Sequence, residues 1–189
     1  MIFQTQRLVL REMDIKDYQD LAQFLQDREV MYAYGHDFTD QDVIDWIVRQ
    51  QKRYREYGFG LWAVILKETG ELIGDAGISI QECEGQQIPE IGYHLKKKFW
   101  HRGFAREAAL GCRDYAFQVL KVPKVYSIIK EDNLPSKKVA RAVGMKEEKC
   151  FLAKYYAGEM PHVLFSVDNP HKEMRGLAGE KEEGTEERI

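Results

Sequence analysis

The stretch from Gly60 to Leu120 limits the possible folds of this chain more than any other part of it. Gly60–Leu66 (GLWAVIL) and Glu71–Ile80 (ELIGDAGISI) are largely apolar runs. They flank Lys67-Glu68-Thr69-Gly70, a polar turn ending in glycine, so the pair predicts a hairpin. After a polar loop over Cys83–Gln87, Glu90–Leu95 (EIGYHL) predicts a third strand. Phe104–Leu120 then sets Ala108, Cys112, Tyr115, Ala116 and Leu120 on one helical face. A chain with this order runs from strand through a glycine turn directly into a helix. The free N–H groups of that helix start are left pointing outward.

The flanks extend the pattern. Arg7–Arg11 alternates apolar and charged residues and reads as an edge strand with Leu8 and Leu10 inward. Asp14 reads as a helix N-cap, with Ile15, Tyr18, Leu21, Ala22 and Leu25 forming the apolar face that follows. Thr39 with Asp42 resembles a capping box and starts a second helix through Val43, Trp46, Ile47, Gln50 and Tyr54, which Gly58 stops. Val125–Ile129 predicts a short buried strand. Pro135–Val143 predicts a helix with proline in its first turn and Gly144 past its end. Lys149–Tyr156 and His162–Val167 predict a closing hairpin. This order implies one α/β domain over residues 5–167 with a mixed, largely antiparallel sheet. The Lys-, Glu- and Gly-rich residues 168–189 read as a charged tail, with a short helix around Lys172–Leu177.

Composition narrows the class. The 189 residues are 44% hydrophobic and 31% charged, as in globular proteins, with net charge −3 and a pI near 6.0. That balance argues against nucleic acid as the main partner. Cys83, Cys112 and Cys150 are odd in number and far apart, which suits a reducing cytoplasm better than a disulfide framework. Met1–Arg11 has no apolar leader-like run, and no stretch reaches the roughly 18 apolar residues of a membrane span. The expectation is a cytoplasmic protein without a membrane partner. Nothing in the pattern calls for a metal.

The chemistry is concentrated in Phe99-Trp100-His101-Arg102-Gly103-Phe104-Ala105-Arg106-Glu107-Ala108. Gly103 permits close approach to the backbone, and the amides of about Arg102–Arg106 would open a helix toward an anion such as a pyrophosphate. The side chains of Arg102 and Arg106 could add charge-assisted contacts. The spacing is neither a Walker loop nor GxGxxG, and a purely structural glycine turn fits it as well. The segment resembles the acetyl-CoA loop of the GNAT superfamily, [QR]-x-x-G-x-[GA], as Trp100-His101-Arg102-Gly103-Phe104-Ala105 followed by Glu107-Ala108. Trp100 departs from the general pattern toward the branch of ribosomal-protein N-terminal acetyltransferases. Three further segments are similar to that branch: Thr5–Arg11 (TQRLVLR), Gly70–Gly77 (GELIGDAG), and Asn133–Ala140 with Gly144-Met145.

The resemblance implies a sheet of about seven strands flanked by about four helices, splayed into a V between the fourth and fifth strands. It implies acetyl-CoA as co-substrate and a primary amine as acceptor. Tyr93 would offer its backbone N–H to the thioester carbonyl, and Leu95 would pair with the pantetheine arm. Arg102, Gly103, Phe104, Ala105 and Arg106 would hold the pyrophosphate, while Asn133 and Ser136 line the pantetheine end. Ala140 stands where many relatives carry a tyrosine acid, which leaves Ser136 to face the leaving sulfur. Glu90 is the leading general base and His94, on the same face by the two-residue period, is the alternative. Each has a plainer reading: a strand-edge carboxylate, a histidine bonded to backbone, an Asx cap at Asn133, a helix-surface serine. Cys112 reads as core.

The acceptor stays open between a protein N-terminal α-amine and a small amine, and a non-catalytic acyl-CoA-binding domain of the same fold is the competing class. Val30–Asp42, Glu82–Pro89 and Phe151–His162 are the loops expected to select the acceptor. Tyr32, Tyr34, Phe38, Tyr155 and Tyr156 are candidate cleft aromatics. A homodimer through the closing hairpin or the tail also stays open.

Overall fold

Strands that are apolar on both faces need a layer of helices on each side. In β3 (Leu61–Leu66) every residue except Ile65 is buried. Leu61 and Ala63 face a cluster with Leu21, Phe24, Val43, Trp46 and Ile47 of α1 (Tyr18–Leu25) and α2 (Asp40–Tyr57). Trp62 and Val64 face the opposite cluster, built with Phe104, Ala108, Cys112 and Ala116 of α3 (Phe104–Gln118). Small residues on that stripe of α3 let the helix lie close to the sheet. A computed structural model describes residues 1–156 and 158–170 of the chain. The expected tail helix lies outside the described residues.

The described residues form an eight-stranded sheet in the order β1-β2-β3-β4-β5-β6-β8-β7. The strands are β1 (Phe3–Gln4), β2 (Leu8–Arg11), β3, β4 (Leu72–Cys83), β5 (Gln86–Leu95), β6 (Lys124–Lys130), β7 (Lys146–Tyr155) and β8 (Gly158–Asp168). Every neighbouring pair is antiparallel except β5–β6, which is parallel and keeps one matched pair, Glu90 with Tyr126. The two strands diverge from that point, and this is the expected V between the fourth and fifth strands of the sequence reading. α4 (Leu134–Ala142) follows β6.

Several boundaries differ from the sequence reading, each for a local reason. The strand at Leu8–Arg11 is not the edge, because β1 pairs outside it, Phe3 with Leu10. Two residues are too few to show alternation, so the sheet has eight strands where about seven were expected. Asp14 does cap, but it caps a 3₁₀ turn over Ile15–Asp17, and Ile15 is exposed rather than on the apolar face. The loop over Cys83–Gln87 shrinks to a turn at Glu84-Gly85, both at positive φ (50° and 79°), the geometry of a tight hairpin. The closing hairpin starts and ends its strands earlier and later than read, from Lys146 to Asp168. The Thr39–Asp42 capping box and the Gly58 stop of α2 are present as read.

Candidate active site

Where β5 and β6 part, the sheet opens a cleft of about 1610 Å³. It runs from the start of α3 across the gap to α2. Glu90, Tyr93, Leu95, Gly103, Phe104, Ala105, Arg106, Asn133 and Ser136 all line it. Residues read from three separated segments are thus brought to one surface. Arg102 is the exception. Its guanidinium lies over the rings of Phe99 and Phe104, 5.6 and 5.2 Å from their centroids, and it borders a separate groove with Gln6, Arg7 and Lys67. In this arrangement the exposed Arg102 side chain lies outside the cleft, beside its Gly103 end.

Alternation along β5 divides the chemistry between the two faces. Ile91 and Leu95 are buried with the α3 cluster, and Tyr93 packs against it. Glu90, Gly92 and His94 face the α2 side. Backbone groups alternate as well. The Lys96 N–H donates to Ile73 of β4 (2.8 Å), while the Ile91 carbonyl accepts from Ser127 Oγ of β6 (2.8 Å). Tyr93 is two residues from Ile91, so its N–H aims into the gap.

Glu90 sits at the fork itself. Its Oε1 accepts the Ile128 N–H at 3.0 Å, which fixes the carboxylate where the strands separate. Burial pushes its pKa up to about 7, against the opposing pull of the Ile128 N–H, His94, Arg53 and Gln81. A carboxyl group that titrates near neutrality is suited to taking a proton at working pH. His94 has both ring nitrogens engaged, Nδ1 with Asp75 Oδ1 at 2.8 Å and Nε2 with the Tyr34 hydroxyl at 3.2 Å. Asp75 is fully buried in β4 and also accepts the Trp46 Nε1–H at 3.0 Å. Both nitrogens of His94 are thus engaged within the protein, one by β4 and one by the Tyr34 phenol.

The loop before α3 is left-handed at two positions, His101 (φ 59°) and Gly103 (φ 79°), and Gly103 is the N-cap of α3. A side chain at φ 79° is strained in any surroundings. On the other wall, Asn133 caps α4 by accepting the Ser136 N–H at 3.1 Å, so the plainer Asx reading holds for its Oδ1. The Tyr93 hydroxyl donates to the Ser136 carbonyl at 3.0 Å and ties the first turn of α4 to β5. Cys112 is fully buried, as read. Of the aromatics named from sequence, Tyr32, Tyr34 and Tyr156 line the cleft, while Phe38 packs beneath against Tyr34 and Trp46. Tyr156 stacks on His36, ring centroids 4.3 Å apart.

Three features escaped the sequence reading. Asp75 had a signal: a charge inside an otherwise apolar strand needs a buried partner. Arg49 and Arg53 line the cleft from α2, but on a helix otherwise rich in surface charge nothing marked them. The third is a clasp. Glu107 accepts from Thr5 Oγ1 (2.6 Å), the Arg7 N–H (2.7 Å) and Arg7 Nε (2.6 Å). It joins the Thr5–Arg11 motif to the first turn of α3. Burial alone would raise the Glu107 pKa, but these donors outweigh it and the net shift is downward.

The site is thus framed by a parallel fork with a glycine-capped helix start beside it. The chain belongs to the acetyltransferase (GNAT) domain family, whose pattern matches residues 7–146. It is similar to the uncharacterized protein YkkB of Bacillus subtilis strain 168, 35% identical over 146 residues, or 77% of this chain and 85% of YkkB. It is also similar to the uncharacterized N-acetyltransferase p20 of Bacillus licheniformis, 33% identical over 76% of this chain and 82% of p20. Among solved structures, the ribosomal-protein-S5-alanine acetyltransferase of Vibrio fischeri shares the fold with a TM-score of 0.70. It is 18% identical, over 89% of this chain and 96% of that one. No helix among the described residues is long and apolar enough to cross a membrane.

Proposed function

We propose that this chain is an N-acetyltransferase that acetylates a primary amine by direct attack, with acetyl-CoA as donor and Glu90 as general base. The carrying observation is Glu90 at the fork, poised near pH 7, in the same cleft as the Gly103 loop. The residues present fit the donor. A helix N-terminus with a glycine cap faces the cleft at one end, a strand edge with free backbone groups follows, and Ser136 and Asn133 close the other wall. Acetyl-CoA supplies the acyl group as a thioester and departs as a thiol.

The residues divide the remaining work. An acceptor amine is mostly protonated at neutral pH, with reference values of roughly 7.7–10.4, so removing its proton is the demanding task. Glu90 takes that proton, directly or through one water. The Tyr93 N–H meets the carbonyl oxygen as a preformed donor. Ser136 Oγ faces the departing sulfur, and Leu95, Asn133 and the amides of Gly103–Arg106 hold the donor's arm and pyrophosphate. The domain is taken as residues 5–167, and the protein as a cytoplasmic enzyme.

Two results test this. Acetyl-CoA at about 100 times its Kd stabilises a fold by about 2.7 kcal/mol, which for a chain of this size raises Tm by roughly 5–10 °C. Release of free thiol with a panel of amines then reports transfer. Millimolar acetyl-CoA with no change in Tm overturns the reading, and protection without transfer to any amine leaves only a binding domain. Gly103→Val is expected to raise KM for acetyl-CoA at least tenfold. It is also expected to lower stability by about 1–2 kcal/mol, because valine is strained in the left-handed region. Gly70→Val has a similar φ of 73° with nothing within 4 Å. It is expected to show the stability loss alone, so equal KM values in the two variants remove Gly103 from the donor site.

A further inference from the structure

Arg49 and Arg53 are one turn apart on α2 and both line the cleft on the Glu90 side. Like charges at this spacing repel and weaken a helix. Neither is ion-paired among the described residues. Arg49 lies over the Trp46 ring, 5.0 Å from its centroid, and Arg53 donates to the neutral Gln50 Oε1 at 3.3 Å. Trp46 is itself held by Asp75, and the fully buried Gln50 also accepts the Leu61 N–H at 3.0 Å. Both guanidinium groups are thus positioned by fixed neighbours and left without a counter-ion. Three other cleft charges are already matched: Arg28 with Asp37, Glu29 with Lys97, Lys130 with Asp132. Glu90 is the carboxylate whose charge Arg53 feels, and one carboxylate does not balance two arginines.

We infer that the acceptor is a small amine that also bears a carboxylate, an amino acid in its zwitterionic form, with the carboxylate held by Arg49 and Arg53 and the amine at Glu90. This rests on the amine-acetylation reading above and names the acceptor class within it. Charge-assisted contacts from guanidinium groups to a carboxylate are the strong kind, and the planar fork suits them. A polyamine would add positive charge to a surface already in surplus. A zwitterion adds none, and its two poles match the two poles of the site. Tyr34 and Trp46 line the same cleft.

The test uses matched trios on the full chain: an amino acid, its carboxamide and the decarboxylated amine, for aromatic, aliphatic and polar side chains, with short peptides as a fourth arm. In the parent at least one amino acid is expected to exceed its carboxamide and amine at least tenfold in kcat/KM, although the carboxamide carries the less basic, more available amine. Arg53→Gln is expected to bring the ratio near one. Arg49→Gln, on an exposed position, is expected to reduce it at least threefold, and it keeps the test alive if the Arg53 variant folds poorly. Carboxamides, decarboxylated amines or peptides used as well as amino acids overturn the inference while leaving acetyl transfer standing. An unchanged ratio in both variants overturns the arginine assignment. Failure of every amine in every arm overturns the proposed function, and the inference with it.

Discussion

Glu90→Gln is expected to lower kcat by about 10²–10³ at pH 7, a usual loss for a general base, while making the fold more stable above neutral pH. The two effects share one cause. Burial raises the Glu90 pKa from an unfolded value of 4.5 to about 7. Below pH 4.5 the group is protonated in both states and costs nothing. Between pH 4.5 and 7 the unfolded chain gives up this proton while the folded protein keeps it, so stability falls across that window and levels off above it. Glutamine still accepts the Ile128 N–H and never charges. Its Tm advantage should therefore be absent near pH 4.5 and complete by pH 8, at roughly 2–4 °C for each kcal/mol relieved. The catalytic deficit should shrink at high pH, where free amine forms unaided. Ser136→Ala is expected to cost only about tenfold, because a thiolate leaves without help and one hydrogen bond is worth about 1–2 kcal/mol. Parental kcat in Glu90→Gln at pH 7 would sink the base assignment. It would promote His94, whose Nε2 bonds to the Tyr34 hydroxyl, or an ordered water.

The sequence disclosed the elements whose causes are local. Thr39 and Asp42 cap α2 within three residues of each other, and Gly58 ends it. The β3–β4 turn, the α3 start at Gly103 and the Asn133 cap depend on neighbouring residues, and each was legible. What stayed hidden depends on partners far along the chain. β1 exists because Phe3 pairs with Leu10 and packs on Trp62 and Tyr115. Gln86 and Gln87 extend β5 although both are exposed, because Cys83 and Glu82 face them across the turn. Arg102 carries a family-like position, yet the rings of Phe99 and Phe104 draw its guanidinium aside. Asp75, Trp46, His94 and Tyr34 form one chain of contacts drawn from four elements, and no spacing rule connects them. The Gly103 end of the cleft follows a motif. The α2 side is assembled in space, and that is why it was the less legible half.

Gly77 and Gly92 face each other across β4 and β5, yet the same substitution is expected to act on them in opposite ways. A methyl group at Gly77 would lie 2.0 Å from the Gly60 carbonyl oxygen and 2.7 Å from Leu61 Cα. Those are backbone atoms of the neighbouring strand, and the Ile78 N–H bonds to that same carbonyl at 3.1 Å. No rotamer relieves the clash, so the strands must separate. Gly77→Ala is expected to cost at least about 3 kcal/mol, the upper end of overpacking, and to lower Tm by roughly 6–12 °C. A methyl at Gly92 meets only Leu61 Cδ2, at 3.4 Å, a side-chain tip that can turn. Gly92→Ala should fold with a Tm within about 2 °C of the parent. It lies between Glu90 and His94 on the cleft face, so its methyl would take space from the proposed acceptor. KM for the acceptor is expected to rise severalfold while KM for acetyl-CoA holds. Melting curves with acceptor and donor titrations on both variants decide the matter. A stable Gly77→Ala protein would mean that β3 and β4 do not approach this closely. A destabilised Gly92→Ala protein with unchanged acceptor KM would move the acceptor away from this face of β5.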